Sequence, residues 1–208
     1  MDALPQDRVA LTSIHVGSVP VMAQVEGQVL EQELDAERDA RRRLALAQIR
    51  QYPDPVLRME ARPVEDIDDD VRHLVERMSR LMVEASGVGL AATQVGVLRR
   101  LFVFNPSEDE IAAVVNPVIA ERSDEVASDD EGCLSLRGVL VPVERSLRVR
   151  LQGKDEHGQD VSFELEDAPA RTAQHELDHL DGVLILDRTT PEARREALAT
   201  LRPRVVIR

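Results

Sequence analysis

The stretch QHELDHLDG, residues 174–182, places two histidines four positions apart with a glutamate beside the first. In an α-helix of about 3.6 residues per turn, positions i and i+4 lie nearly one above the other. His175 and His179 could then offer both imidazoles to one metal ion, with Glu176 beside it as a base. A polar helix with two solvent-facing histidines would show the same letters, so the stretch alone leaves both interpretations open.

The residues around this stretch predict that it is helical. Asp167 is a good N-cap, and Pro169 suits the first turn of a helix. Gly182 is typical of the position just beyond a helix end. We therefore expect a helix over residues 168–181, with both histidines in its last three turns.

The composition indicates a globular protein of one domain with an appendage. The chain has 208 residues, 43% of them hydrophobic, which is enough to bury a core. No apolar run approaches the roughly 20 residues of a membrane span, and no signal peptide is visible. The single cysteine, Cys133, excludes an intrachain disulfide and fits a reducing compartment. We expect a cytoplasmic protein.

The formal charge of −13 argues against broad electrostatic binding to nucleic acid or to anionic membrane. We therefore expect no membrane partner and no sequence-specific nucleic acid. The C-terminal segment, residues 188–208, differs, because it holds six arginines and two glutamates. This basic segment is a candidate contact with the ribosome.

Residues 1–43 differ in composition from the rest of the chain. Their last part, EGQVLEQELDAERDARRR, is acidic before it is basic, and Glu37 and Arg41 have the i, i+4 spacing of a helical ion pair. We predict an N-terminal extension over residues 1–43, helical or partly disordered, and a main domain over residues 44–208. The extension is expected to be dispensable for chemistry.

The main domain begins with a predicted helix, capped by Asp68 or Asp66. Its apolar positions have the spacing of one buried face and comprise Val71, Leu74, Val75, Met78, Leu81 and Met82. Short β-rich runs follow at residues 101–104, 113–119, 139–152 and 161–166. The order predicts an α+β fold, with antiparallel β-sheets packed around the helix that carries HExxH and an N-terminal helical extension.

A catalytic metal usually has a third protein ligand and an open position for water. The long metalloprotease signature HExxHxxGxxH would place its last histidine at Ile185, which cannot coordinate a metal. Glu192 or Glu196 could serve instead, as in the glutamate-ligand HExxH peptidases. A better candidate is Cys133 in EGCLS, residues 131–135, because thiolate with two imidazoles suits zinc or ferrous iron.

A third segment, GVGLAATQVG at residues 87–96, matches a dinucleotide-binding pattern in its letters. That pattern needs a strand before the loop and a helix after it, whereas here a helix precedes and a strand follows. We therefore reject nucleotide binding. Gly87 and Gly89 instead indicate a backbone edge that a ligand can approach closely, with Gln94 as a nearby amide donor.

Together and in this order, GVGLAATQVG, EGCLS and QHELDHLDG resemble the three motifs of the peptide deformylase family. The resemblance extends over about 145 residues, from Leu44 through YPDPVLRMEARPVED to Arg188. It implies that residues 44–208 are a catalytic domain. It also implies the activity, which is removal of the formyl group from N-formylmethionine at the start of newly made polypeptides.

The resemblance also implies the roles of individual residues. The metal ligands would be Cys133, His175 and His179, and Glu176 would be the general acid/base. Gln94 and the backbone N–H of Leu134 would stabilise the oxyanion. The expected substrate contacts are Gly87, Val88, Gly89, Leu90, Glu131, Ala168 and Thr172.

The implied cofactor is one divalent metal ion. The resemblance points to Fe²⁺ as the native ion, whereas the affinity order of divalent metals favours Zn²⁺. Zn²⁺, Ni²⁺ or Co²⁺ could occupy the site in the isolated protein. The implied partners are N-formylmethionyl nascent peptides.

The chain departs from many relatives at several positions. Arg137 stands where proline is common, and Ala168 and Thr172 stand where bulkier apolar residues are common. Two other functions remain open at this point. One is an HExxH endopeptidase, and the other is a catalytically silent, metal-stabilised protein associated with the ribosome.

Overall fold

The structure, a computed structural model, describes residues 35–202. The chain divides into two compact units, Met1–Glu37 and Arg38–Arg208. The described residues of the first unit, 35–37, are helical. Most of the predicted N-terminal extension, and the last residues of the basic C-terminal segment, lie outside the described residues.

The second unit begins with helix α1, residues 38–47. The other helices are α2 (Asp69–Glu84), α3 (Asp167–Leu180), α4 (Ile185–Arg188) and α5 (Pro191–Leu201), with short 3-10 helices at Pro55–Arg58 and Ala92–Val95. The strands are β1 (Gly89–Ala91), β2 (Leu101–Ser107), β3 (Glu110–Arg122), β4 (Val126–Gly132), β5 (Leu140–Ser146), β6 (Arg148–Lys154) and β7 (Asp160–Glu166). None of the helices within residues 35–202 is both long and apolar enough to cross a membrane.

Within residues 35–202, all pairs of the named strands are antiparallel. Five strands form one sheet in the order β1-β2-β3-β6-β7, and β4 and β5 form a separate two-stranded sheet. The predicted α+β class with antiparallel sheets is confirmed.

Strand β2 shows why helices cover both faces of the large sheet. Its successive side chains point to opposite faces. Leu101 and Val103 join the core cluster that includes the apolar face of α2. Phe102 and Phe104 join the cluster that includes the apolar residues of α3. The sheet is therefore packed between α2 and α3, and α3 is the helix that carries HExxH.

Helix α2 begins as the sequence predicts. The side chain of Asp68 accepts a hydrogen bond from Val71 N at 2.9 Å, so Asp68 and not Asp66 is the N-cap. Five of the six predicted core residues are buried, and Leu74 is partly buried against the same cluster. The helix ends at the C-cap Ala85, directly before the glycine-containing segment 87–96.

Helix α3 begins one residue earlier than predicted. Glu166 and not Asp167 is the N-cap residue, and its side chain makes no capping hydrogen bond. Asp167 has a φ of 53°, and its N–H donates to Leu147 O at 2.9 Å. After the helix, Gly182 has a φ of 69°, as expected for a glycine beyond the last turn. A side chain at this position would lie 2.7 Å from Arg58 O, so close packing also favours glycine.

The structure corrects one β-strand prediction and adds one strand that was not predicted. The single predicted run over residues 139–152 is two strands, β5 and β6, which Leu147 separates. Strand β4 was not predicted, because its sequence VASDDEG is rich in residues that are uncommon in strands. It forms because β5 provides a complete antiparallel partner, from Val126 opposite Ser146 to Gly132 opposite Leu140.

Candidate active site

Helix α3 and the loop after β4 bring three metal-ligand side chains together. One ligand atom each of Cys133, His175 and His179 lies within 4.8 Å of the other two. Cys133 Sγ is 3.2 Å from His179 Nε2, and the two imidazole centroids are 4.9 Å apart. The i, i+4 spacing places both rings on one face of α3, while the end of β4 delivers the cysteine.

The three side chains fit a divalent metal by their chemistry. A thiolate and two imidazoles suit Zn²⁺ or Fe²⁺, and three protein ligands leave a coordination position open. Burial lowers the pKa of His179 well below its ordinary value. Its imidazole is therefore neutral, which is the form that coordinates a metal.

Glu131 fixes the orientation of His175. Its Oε2 accepts a hydrogen bond from His175 Nδ1 at 3.0 Å, which leaves Nε2 of that ring available for a metal. Burial alone would raise the pKa of Glu131, but hydrogen bonds from His175 and Arg145 outweigh burial and lower it to about 2. The sequence resemblance implies a substrate contact for Glu131. In the structure, both of its carboxylate oxygens accept hydrogen bonds from protein donors.

Arg145 lies behind this arrangement and was missed by sequence reasoning. Its guanidinium donates to both oxygens of Glu131, at 3.0 and 3.1 Å, and to Asp178 Oδ2 at 2.5 Å. The sequence did contain a signal for it. On β5, Val141, Val143 and Arg145 alternate and are all buried. A charged residue that continues a buried apolar face indicates a buried partner of opposite charge.

Glu176 follows the first ligand and is also buried in α3, with 3% of its surface exposed. Its Oε2 has no hydrogen-bond partner among the described residues. Burial raises its pKa to about 7, and a divalent cation nearby would oppose this shift by favouring the carboxylate. A buried carboxyl group can both take and return a proton when one of its oxygens has no hydrogen bond and its pKa lies near the working pH.

Gln94 joins the segment 87–96 to the cysteine loop. Its Oε1 accepts from Ala91 N at 2.8 Å, so its amide nitrogen faces the loop. Nε2 lies 3.2 Å from Ser135 Oγ and 3.6 Å from Cys133 Sγ. The side chain is almost fully buried, at 1% exposed, so its donor is fixed in place beside Cys133.

A cleft of about 430 Å³ opens onto these groups. Its lining includes the expected substrate-contact residues Gly87, Val88, Gly89, Glu131, Ala168 and Thr172, together with Gln94, Cys133, Leu134, His175 and Glu176. Leu90, the remaining expected contact, is not among these lining residues. Its side chain is fully buried in the core cluster that includes α2, so only its backbone could contact a substrate.

Gly89 is needed where it stands because of close packing against α3. A Cβ atom there would lie 2.4 Å from Glu176 Oε1 and 2.8 Å from Thr172 Cγ2. A Cβ atom at position 87 would likewise lie 2.8 Å from Leu134 Cδ1. The two glycines thus let the backbone of this segment approach the base and the cysteine loop.

Glu192 and Glu196, the alternative third ligands, do not join this site. Both lie on α5 and are exposed. Within residues 35–202, neither belongs to the cluster of potential metal ligands.

Comparison with known proteins agrees with this geometry. Residues 46–195 match the family described as Polypeptide deformylase. The chain belongs to that family. It is 46% identical over 146 residues to the peptide deformylase of Thermotoga neapolitana, which covers 70% of this chain and 88% of that protein. It is 44% identical over 159 residues to the peptide deformylase of Acidothermus cellulolyticus, covering 76% of this chain and 87% of that protein.

Solved structures give the same answer for the fold. The peptide deformylase of Thermotoga maritima superposes with a TM-score of 0.66 at 45% identity, over 69% of this chain and 97% of that one. Peptide deformylase 1B of Arabidopsis thaliana, in complex with an inhibitor, superposes with a TM-score of 0.70 at 40% identity, over 74% of this chain and 89% of that one.

The family fixes the class of reaction. The enzyme is a metal-dependent hydrolase that removes the N-formyl group from nascent peptides. The endopeptidase and the silent binding protein, which the sequence alone left open, find no support in these comparisons.

Proposed function

We propose that Cys133, His175 and His179 hold the one divalent ion with which this enzyme deformylates N-formylmethionyl peptides. The observation that carries the assignment is the convergence of the three ligand atoms, within 4.8 Å of one another, beside the buried Glu176. An ion bound there would supply Lewis acidity, which polarises a carbonyl oxygen and lowers the pKa of water toward about 7.

Glu176 moves the proton in this proposal. Attack on the formyl carbon requires a water molecule to lose a proton, and departure of the peptide requires its nitrogen to gain one. Glu176 lines the cleft, and its free Oε2 can accept the first proton and donate it to the amine. Burial raises the pKa of Glu176 and so favours its protonated form, whereas a divalent cation nearby would favour the carboxylate that accepts the proton.

Gln94 and Leu134 stabilise the negative charge that develops on the formyl oxygen. Both line the cleft next to Cys133, and the side-chain amide of Gln94 is held in place because its Oε1 accepts a hydrogen bond from Ala91 N. One such donor lowers the activation free energy by on the order of 3 kcal/mol, because the donor is already in place and does not have to reorganise during the reaction.

The substrate's methionine side chain lies against α3. Thr172 and Ala168 are three and seven residues before His175, so all three share one face of the helix and line the cleft. The peptide backbone lies along residues 87–89, where the glycines allow close approach.

Fe²⁺ is the proposed native ion, with Zn²⁺, Ni²⁺ or Co²⁺ as possible occupants after isolation. Cysteine and histidine ligands accept all four ions. Metal analysis and turnover of protein purified with and without oxygen test this assignment. Ferrous enzyme should lose activity in air, whereas a zinc enzyme should not.

The function is tested by formate release from a formyl-Met tripeptide, with the unformylated and the acetylated peptide as controls. Formate should appear from the first peptide only, and internal peptide bonds should stay intact. A chelator should abolish release and expose Cys133 to thiol reagents. If Cys133 reacts at full speed in the metal-loaded protein, it is not a ligand.

Two broader assignments also remain proposals. We place the enzyme in the cytoplasm, where nascent peptides emerge, and we propose that residues 188–208 contact the ribosome through their positive charge. In the described part of this segment Arg188 pairs with Asp178 and Arg194 with Asp187, which reduces the free charge. Salt-dependent sedimentation with ribosomes, with and without residues 203–208, tests the contact.

A further inference from the structure

Helix α1 lies almost entirely before the region that matches the family, which begins at residue 46. It is nevertheless joined to both sides of the active-site cleft. We define the first wall of the cleft as residues 86–89 and the second wall as residues 130–134, since both segments line the cleft together with His175 and Glu176. A residue directly before the first wall and a residue three positions after the second wall are each hydrogen-bonded to a different point on α1.

The contact with the first wall is made by Arg42. Its Nε donates to Ala85 O at 3.3 Å. Ala85 is the C-cap of α2 and directly precedes Ser86, which has a φ of 58°. A cation at this carbonyl is favourable, because the carbonyls at the end of a helix carry partial negative charge and lack partners in the helix. Arg42 therefore fixes the point at which the chain leaves α2 and enters the first wall.

The contact with the second wall is made by Arg137. Its Nη2 donates to Leu46 O, in the last turn of α1, at 2.6 Å. Arg137 lies in the tight turn after Cys133, where Leu136 N donates to Cys133 O at 3.0 Å. Its position is three residues beyond Leu134, whose backbone N–H is the proposed oxyanion donor. A shift of α1 would thus displace the turn that carries both the proposed ligand Cys133 and the backbone N–H of Leu134.

The residues that follow α1 strengthen the same connection. Gln51 Nε2 donates to Leu134 O at 2.9 Å, and Tyr52 N donates to Ser135 O at 2.9 Å. Arg50 N donates to Gln94 O at 2.7 Å. Ala45, Leu46 and Ile49 are buried in the core cluster that includes α2, so this end of α1 cannot move independently of the main body.

We infer that α1 is a positioning element that couples the two walls of the cleft, with Arg42 and Arg137 as its positioning residues. Arg42 sets the position of α1 relative to the first wall, and Arg137 transmits that position to the turn that holds Cys133 and Leu134. The coupling aligns the oxyanion donors with the metal ligands. Neither arginine lines the cleft, so the expected effect is on the alignment of the catalytic groups and not on substrate binding. The inference rests on the proposed active site.

The test uses the full chain and single substitutions. Arg137→Ala, Arg137→Lys and Arg42→Ala are compared with Arg195→Ala, which removes the same charge from an exposed position on α5. For each metal-loaded variant, kcat and KM for a formyl-Met tripeptide, metal content and amide hydrogen exchange are measured. Exchange is followed in residues 85–89 and 133–138, with residues 148–166 of β6 and β7 as an internal reference.

Arg137→Ala should lower kcat by roughly three- to tenfold with KM and metal content unchanged, because small misplacements of catalytic groups slow the chemical step. Arg137→Lys should recover most of this loss, since an ammonium group can still donate to Leu46 O. The distinguishing result concerns Arg42→Ala. Although Arg42 is bonded at the first wall, its loss should speed exchange in residues 133–138 as well as in 85–89.

Exchange that quickens only in residues 85–89 of Arg42→Ala would show two local contacts and overturn the coupling. The inference would also be overturned if Arg137→Ala had the same kcat as Arg195→Ala, or if its kcat fell only in step with its metal content. If the unmodified chain released no formate, the proposed active site would fail. The exchange result would still decide whether the two walls are coupled, because it does not depend on turnover.

Discussion

Glu176 is buried, one of its oxygens has no hydrogen-bond partner among the described residues, and it directly follows the proposed metal ligand His175. We predict that Glu176→Ala keeps its metal, since the three ligands are untouched. Turnover should fall by about 10²- to 10⁴-fold, the usual contribution of a general acid/base. Metal analysis and kcat on the same sample measure both. Retained turnover, or loss of metal in step with activity, would contradict the assignment.

Arg145 stabilises the fold, because it is a buried cation between the buried carboxylates of Glu131 and Asp178. Replacing it with leucine leaves Glu131 and Asp178 without a shared partner, although Arg171 and Arg188 still contact one each. We expect a loss of about 3 kcal/mol in the free energy of unfolding, at the lower end of the range for a broken buried pair. Urea unfolding measures it.

The matched control for Arg145 is an arginine on β6, the next strand along the chain. Arg148→Leu removes a residue whose side chain is half exposed and pairs with Glu125 and Glu166 at the surface. Exposed ion pairs contribute little, so its urea midpoint should stay close to that of the unmodified chain. Equal destabilisation by both substitutions would mean that the buried network around Arg145 contributes no more to the free energy of unfolding than a surface ion pair does.

At the level of secondary structure, the start of α3 contains a residue in an unfavourable conformation. Asp167 has a φ of 53°, a region that glycine adopts without steric cost. We predict that Asp167→Gly raises the free energy of unfolding by up to about 1 kcal/mol, while Asp167→Ala does not. Thermal unfolding of the two variants measures the difference. A destabilised glycine variant would show that the Asp167 side chain stabilises the helix start by more than the strain costs.

The same helix lines the proposed pocket for the methionine side chain. Ala168 lines the cleft and is exposed, so the space next to it is open. The unmodified enzyme should therefore prefer formyl-Met over formyl-Phe only weakly, since one methylene in such a pocket is worth only about 1 to 3 kcal/mol. Ala168→Phe should narrow the pocket and sharpen the preference. The ratio of kcat/KM for the two peptides decides it.

The control for this pocket is Ala199→Phe, which adds the same ring at an exposed position of α5. It should leave the ratio unchanged. An unchanged ratio in Ala168→Phe as well would show that position 168 does not line the pocket.

These elements also show how far the sequence could be interpreted alone. Helix α2 was predictable because Asp68 and its apolar spacing are local signals. Strand β4 was not, because only Glu131 of its seven residues is buried, and its strand conformation depends on β5. The helix start was displaced by one residue because Asp167, a frequent capping residue, takes a left-handed conformation that its identity does not reveal.

For the molecule as a whole, the proposed ligands were predictable because HExxH fixes two of them and the chain has only one cysteine. The network behind them was not. Arg145 is 14 residues from Glu131 and 33 from Asp178, and nothing in local sequence pairs them. Such contacts are set by the packing of β5 against β4 and α3, which appears only once the chain is folded.

The length of chain needed for activity is the last question at this scale. The sequence alone predicts that residues 1–43 are dispensable, whereas the coupling through α1 predicts that the limit lies between Arg38 and Leu44.

A chain beginning at Arg38 keeps the whole second unit, including Arg42, and should match the full chain in kcat, KM and thermal stability. A chain beginning at Leu44 keeps only four helical residues, 44–47, too few to sustain a helical turn without tertiary support, and it loses Arg42. It should bind metal normally but turn over roughly three- to tenfold more slowly, as misaligned donors would. If both truncated chains turn over like the full chain, α1 has no part in catalysis and residues 1–43 are dispensable. If the chain beginning at Arg38 is already slow with its metal in place, residues before position 38 act on the active site.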